Sequence, residues 1–81
     1  MERVENFHVS THGGIRARER ELSIEDMKAI INSHDHKCQL RRGGHGGFVY
    51  KFTKAMLSKN MVVIAEVKKK DAWIVSGWCE A

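Results

Sequence analysis

The stretch Met61-Val62-Val63-Ile64-Ala65-Glu66-Val67 decides the fold of this 81-residue chain. A nearly continuous apolar run rich in β-branched residues is typical of a central strand that is covered on both sides. We therefore expect a β-sheet built around residues 61–67.

The sequence on either side of this run predicts further strands. Phe48, Tyr50 and Phe52 alternate with Val49 and Lys51, and Cys38 and Leu40 alternate with polar neighbours, so that the glycine-rich residues 42–47 would join two strands as a hairpin. Residues 68–71 form a charged turn before a last strand over residues 73–78. Residues 53–60 fit either a loop or a short helical turn.

The two tryptophans lie in this last predicted strand. Trp73 and Trp78 are five positions apart, so strict alternation would place them on opposite faces of the sheet. An exposed tryptophan beside basic residues could stack on a nucleic-acid base.

The first half of the chain shows helical patterning instead. Ser10 or Thr11 could cap a helix that runs to about Glu21, although Gly13 and Gly14 would loosen its first turn. A second helix follows the cap residue Ser23, since Ile24, Met27, Ile30 and Ile31 recur at helical spacing; it should end within residues 32–35. The expected fold is a single α+β domain over residues 1–81, with two N-terminal helices packed on a three- to four-stranded antiparallel sheet.

Composition points to an anionic partner. Fourteen Lys and Arg against ten Asp and Glu give a net charge of +4 and a pI near 9.3, which suits a nucleic acid. No segment approaches the roughly 20 apolar residues of a membrane helix, and the polar N-terminus lacks the apolar stretch of a signal peptide. We expect a cytoplasmic protein in which the two cysteines, Cys38 and Cys79, are reduced.

The predicted first helix carries the residues best suited to chemistry. His12, Arg16, Glu19 and Arg20 fall in one sector of an ideal helix. Arginine can bind a phosphate bidentately, and Glu19 could orient Arg16. The same spacing also suits a solvated face tied by intrahelical ion pairs worth about 0.3–0.5 kcal/mol each, and spacing alone favours that plainer interpretation.

The segment over residues 12–23, HGGIRARERELS, resembles the opening helix of a family of small bacterial domains of unknown function related to RelE-type toxins. The usual pattern of that family is H-A-x-x-R-x-x-E-R, followed by a short apolar step and a capping serine. The residues that match are His12, Arg16, Glu19, Arg20, Leu22 and Ser23. Gly13, Gly14 and Glu21 depart from the pattern, whereas the order of the later strands agrees with it.

The resemblance implies a RelE-like fold and a metal-independent ribonuclease that needs no cofactor. His12 would be the general acid or base, Arg16 and Arg20 would hold the phosphate, and Ser76 would donate a hydrogen bond. Arg41 or Arg42 would approach the phosphate from the sheet. A toxin of this kind would also have a neutralising, antitoxin-like protein partner.

Two further segments carry candidate ligands. In the loop of residues 41–47, Arg41, Arg42, His45 and the backbone amides of the glycines could attract a phosphate, although a plain hairpin tip is the favoured interpretation. Residues 34–38, HDHKC, together with His45 or Cys79, invite a metal site. The paired ligand clusters of zinc sites are missing, so a polar turn is favoured and no metal is expected.

Three functions remain open from the sequence. The leading hypothesis is an endoribonuclease, or a degenerate relative of one, that acts on RNA. The second is a non-catalytic module that binds nucleic acid or a protein through the same basic face. The third is a structural domain without a ligand, in which Arg16 and Arg20 would pair with carboxylates such as Glu19 and Glu66. The sequence does not determine the oligomeric state.

Overall fold

The computed structural model describes residues 1–9 and 22–80. Within these ranges the chain forms five strands and one helix, in the order β1 (Asn6–Val9), α1 (Ile24–Asn32), β2 (His36–Arg42), β3 (Phe48–Met56), β4 (Lys59–Lys68) and β5 (Asp71–Glu80). All five strands join one sheet in the spatial order β1-β5-β4-β3-β2.

β4 is the middle strand, as its composition predicts. It pairs antiparallel with β3 on one side and with β5 on the other. Val62, Val63 and Ala65 are fully buried, so both faces of the strand are covered at these positions. The prediction of a central strand over residues 61–67 is confirmed.

The prediction of two helices packed on a three- to four-stranded antiparallel sheet is wrong. The sheet has a fifth strand and is mixed, because Asn6–Val9 pairs in parallel with β5. Long-range hydrogen bonds hold this short segment: the backbone N–H groups of Glu5 and Asn6 donate to the Lys70 carbonyl, and the Asn32 side chain bonds both the N–H and the C=O of Val4. The described ranges contain a single short helix, and the predicted first helix lies outside them.

Residues 53–60, for which the sequence left two options, form a tight hairpin instead of a loop or a helical turn. β3 continues to Met56 and β4 begins at Lys59, so that only Leu57 and Ser58 make the turn. Leu57 adopts a left-handed conformation with φ of 37°, which a two-residue hairpin turn requires.

α1 forms where the sequence predicts it. The Ser23 hydroxyl accepts a 3.0 Å hydrogen bond from the Asp26 N–H, and the helix ends at Asn32. Met27, Ile30 and Ile31 are buried against the sheet face that we call the inner face. Complete burial of such side chains stabilises a fold by about 1.5–3 kcal/mol each. The inner face contributes Phe52, Val63, Ala65, Val67, Ala72 and Ile74 to this core.

The opposite face is called the outer face. It carries the strand residues that alternate with those of the inner face. In β5 a bulge interrupts the alternation: Ile74 pairs with Ala65 and Ser76 with Ile64, which leaves Val75 as an extra residue. Trp73 therefore lies opposite Glu66, and Trp78 lies opposite Val62 on the same face. The prediction that the two tryptophans occupy opposite faces is wrong, because a bulge shifts parity by one residue.

No helix in the described ranges has the length and apolar character needed to cross a membrane.

Candidate functional site at the β2–β3 hairpin

One row of residues crosses the sheet from edge to edge. Strand pairing places Arg41 opposite Val49, Val49 opposite Glu66, Glu66 opposite Trp73, and Trp73 opposite His8. The five residues come from five different strands. The row thus sets a carboxylate, an indole and an imidazole side by side on the outer face.

The hairpin loop between β2 and β3 folds onto this row through His45. Nδ1 of His45 lies 3.0 Å from Oε1 of Glu66. The backbone N–H groups of His45 and Gly47 each donate a 2.9 Å hydrogen bond to Oε2 of the same carboxylate. Gly43 closes the loop with a 2.9 Å hydrogen bond from its N–H to the Gly47 carbonyl. One side chain from the central strand therefore fixes both the loop backbone and its imidazole.

Glu66 is a buried carboxylate, with 3 % of its surface exposed. Burial by itself would raise the pKa of this group. The hydrogen bonds from the His45 side chain and from the Gly47 and His45 N–H groups outweigh burial, and the pKa of Glu66 lies below its ordinary value. The group is ionised at neutral pH, so it accepts a hydrogen bond that the Nδ1–H of His45 donates.

Both imidazoles stack on the Trp73 indole. The His45 ring lies 4.3 Å from it with an interplanar angle of 7°, and the His8 ring lies 5.0 Å from it at 16°. His8 comes from β1, which neighbours β5, whereas His45 comes from the β2–β3 loop and is held by Glu66 of β4, the other neighbour of β5. Nε2 of His8 lies 3.3 Å from Oδ1 of Asp71. His8, His45, Glu66, Asp71 and Trp73 are called the imidazole cluster below.

The imidazole cluster holds two histidine–carboxylate pairs around one indole. In each pair one ring nitrogen is bonded to a carboxylate, and the other nitrogen is the one that can exchange a proton with a substrate. The side chain of His45 is 53 % exposed and that of His8 is 51 % exposed, so solvent reaches both rings. Because its indole supports the imidazoles, Trp73 is less suited to the base-stacking role that the sequence suggested.

A lysine borders the cluster on the hairpin side. A Cβ built on Gly46 would lie 3.2 Å from Nζ of Lys68, which places the ammonium group beside the loop that carries His45. Gly46 has a φ of 85°, a conformation that side chains rarely adopt, so the loop depends on glycine at this position. The sequence analysis did not single out Lys68 as a site residue.

The structure separates the sheet residues that the sequence grouped together. Arg41 belongs to the row of the imidazole cluster, whereas the Arg42 guanidinium lies 5.3 Å from the ring centroid of Phe48, its pairing partner on the inner-face side. Ser76 is on the outer face opposite Ile64, roughly 7 Å along the sheet from the row. His12, Arg16 and Arg20 lie outside the described residues.

The residues considered for a metal site do not converge. His34 bonds its Nδ1 to the Ile31 carbonyl and packs on Phe52, and Cys38 and Cys79 are free thiols. Over residues 1–9 and 22–80, no group of three or more His, Cys, Asp or Glu side chains is placed to hold a metal ion.

The sequence analysis gave no site role to His8, Glu66 or Asp71, and it considered Trp73 only for base stacking. Glu66 carried a usable signal, because a carboxylate in the middle of an apolar central strand needs buried hydrogen-bond donors. The sequence carried no signal that His8 would meet Asp71 and Trp73, since strand pairing across more than 60 residues brings them together.

Comparisons of the chain with protein-family models, curated proteins and solved structures found no match.

Proposed function

We propose that this protein binds RNA on the outer face of its sheet and cleaves it without a metal ion, with His45 and His8 as the proton-transfer residues. The observation that carries the proposal is the stack of two solvent-exposed imidazoles on Trp73, each bonded to its own carboxylate. The cytoplasmic location expected from the sequence belongs to the same proposal.

Two imidazoles suffice for the chemistry of a metal-independent ribonuclease. A neutral imidazole takes the proton of a ribose 2′-hydroxyl, whose oxygen attacks the adjacent phosphorus. A protonated imidazole gives its proton to the departing 5′-oxygen, so that a 2′,3′-cyclic phosphate and a 5′-hydroxyl result. Imidazoles titrate near neutral pH and can fill both roles.

The contacts of His45 favour it as the base. Glu66 holds Nδ1, which leaves Nε2 to accept the 2′-hydroxyl proton, and the carboxylate stabilises the imidazolium that forms. His8, on the other side of Trp73, is then the acid. The Lys68 ammonium beside Gly46 offers positive charge to the phosphorane as it develops.

The charge of the neighbouring strands supports RNA as the ligand. Residues 36–65 include six Lys and Arg and no Asp or Glu; the six are Lys37, Arg41, Arg42, Lys51, Lys54 and Lys59. Arg41 and Lys51 belong to the outer face next to the cluster row. These two cations and Lys68 place positive charge beside the imidazoles, where it would position a phosphate backbone.

The experiment compares cleavage and binding of a labelled RNA pool in EDTA. The native chain should cleave, His45→Ala and His8→Ala should each lose activity at least a hundredfold, and His36→Ala should behave as the native chain. His36 is the matched control, because it is an exposed histidine on β2 outside the cluster. Salt-sensitive binding without cleavage would replace the proposal with the non-catalytic module, and the absence of both would reject RNA as the ligand.

A further inference from the structure

A second feature is the edge of β2, which among residues 1–9 and 22–80 pairs with no strand except β3 and is called the free edge below. This strand is the last in the sheet order, and all seven of its residues are exposed. On an edge strand, alternate residues direct their N–H and C=O groups away from the neighbouring strand. The edge at the other end of the sheet belongs to β1, which has four residues.

The side chains of β2 define what could pair with it. Lys37 and Arg42 lie toward the inner face, where they rest on Tyr50 and Phe48, and Arg41 lies on the outer face. Cations therefore flank both faces of the strand, and its sequence, HKCQLRR, contains no carboxylate. Leu40 adds an apolar side chain that is 49 % exposed.

The same charges disfavour pairing of β2 with a second copy of itself. Antiparallel self-pairing centred on Gln39 would set Lys37 opposite Arg41 and His36 opposite Arg42. Like charges directly opposite one another destabilise a sheet. A bulge between Gln39 and Arg41 also breaks the regular register that a symmetric pair needs.

We propose that the free edge of β2 binds an extended, acidic segment of a partner protein as a sixth strand of the sheet. Main-chain hydrogen bonds to the outward N–H and C=O groups of β2 supply the affinity. Carboxylates of the segment on both faces pair with Lys37, Arg41 and Arg42, and an apolar residue covers Leu40. Arg41 is shared with the proposed RNA surface, but the main-chain edge of β2 lies outside the imidazole cluster, and the proposal does not depend on RNA cleavage.

The probe is a displayed library of random ten-residue peptides, selected on the native chain. The selection should enrich acidic peptides that lack proline. A synthetic copy of an enriched peptide should slow amide hydrogen exchange at alternate residues of β2. Its affinity should fall at least tenfold for Lys37→Glu/Arg41→Glu and stay unchanged for Lys59→Glu/Lys69→Glu, which alters net charge equally at exposed sites away from the β2 edge.

A second version of the peptide tests strand pairing itself. Two N-methylated peptides are made, one methylated at the odd residues and one at the even residues, so that each loses half of its N–H donors without a change in charge. One of the two peptides should fail to bind. Equal binding of both N-methylated peptides would show a purely ionic contact and overturn the proposal. A selection that does not enrich acidic peptides would also overturn the proposal. So would slowed exchange of the β2 amides in a dimer of the chain, or in the presence of RNA without peptide.

Discussion

The Glu66 carboxylate of the central strand holds His45 of the β2–β3 hairpin through two contacts, one at 3.0 Å to Nδ1 and one at 2.9 Å from the backbone N–H. These residues are 21 positions apart in sequence. Their contact joins the stability of the hairpin to the orientation of the imidazole. Changes at Glu66 should therefore alter both properties together.

Replacement of Glu66 by glutamine should destabilise the protein. Glutamine replaces one carboxylate oxygen by an NH2 group and removes the negative charge, so hydrogen bonds that now have a charged acceptor weaken, at a cost of about 1–3 kcal/mol. Urea unfolding at neutral pH measures the loss. Glu25→Gln is the control, because the Glu25 side chain is 83 % exposed and should change stability by less than about 0.5 kcal/mol. Equal effects of the two changes would contradict this assignment.

The stabilisation by Glu66 should depend on pH. Its pKa in the folded protein is lowered from the ordinary value of 4.5, so the folded state favours the ionised form. The contribution is complete above the unfolded-state pKa and is lost as the pH falls through the lower folded-state pKa. Urea midpoints of the native chain and Glu66→Gln should therefore differ by a constant amount well above pH 4.5 and converge as the pH falls below it. A difference that stays constant in acid would show that ionisation of Glu66 is irrelevant to stability.

Gly43 and Gly44 provide a matched pair of tests for the hairpin. A Cβ on Gly43 would overlap the Glu66 side chain, whereas a Cβ on Gly44 would meet no atom within 4 Å. Gly43→Ala should cost about 1–3 kcal/mol through overpacking and should displace the Glu66 carboxylate from His45. Gly44→Ala should be nearly neutral. Urea unfolding gives the costs, and the exchange rates of the His45 and Gly47 amides show whether their hydrogen bonds survive.

The Ser23 cap should contribute measurably to the helix. Its hydroxyl accepts a hydrogen bond from the Asp26 N–H, which has no partner within the helix, so Ser23→Ala should destabilise the protein by about 1 kcal/mol. Ser23→Asp should retain the stability, because aspartate is an equally good cap and favours a helix N-terminus. Thermal unfolding compares the three chains. Equal losses in both variants would assign Ser23 a role other than capping.

Local periodicity was sufficient to predict the central strand and α1. The apolar run of residues 61–67 and the stripe of Ile24, Met27, Ile30 and Ile31 each carry their own signal. β1 carries no comparable signal, since it has four residues and depends on pairing with β5. The bulge at Val75 has no recognisable pattern in the sequence either, and it reverses the face that alternation assigns to Trp78.

The candidate site could be predicted only in part, for the same reason. His45 was predicted as an anion-binding residue because it lies in a glycine-rich loop beside two arginines. Its carboxylate and indole neighbours come from strands whose register the sequence does not specify. Arg42 was grouped with His45 from chain proximity, but adjacent strand residues point to opposite faces. The roles of His12, Arg16 and Arg20 stay predictions.

The chemistry of the RNA ends tests the central claim most directly. RNA incubated with the native chain in EDTA should yield fragments that end in 2′,3′-cyclic phosphate and begin with 5′-hydroxyl, identified by mass spectrometry. His45→Ala should yield none of them, while His36→Ala should yield the native amount. Fragments of the same kind and quantity from His45→Ala, or none from the native chain, would contradict the assignment of His45 and the imidazole cluster to RNA cleavage.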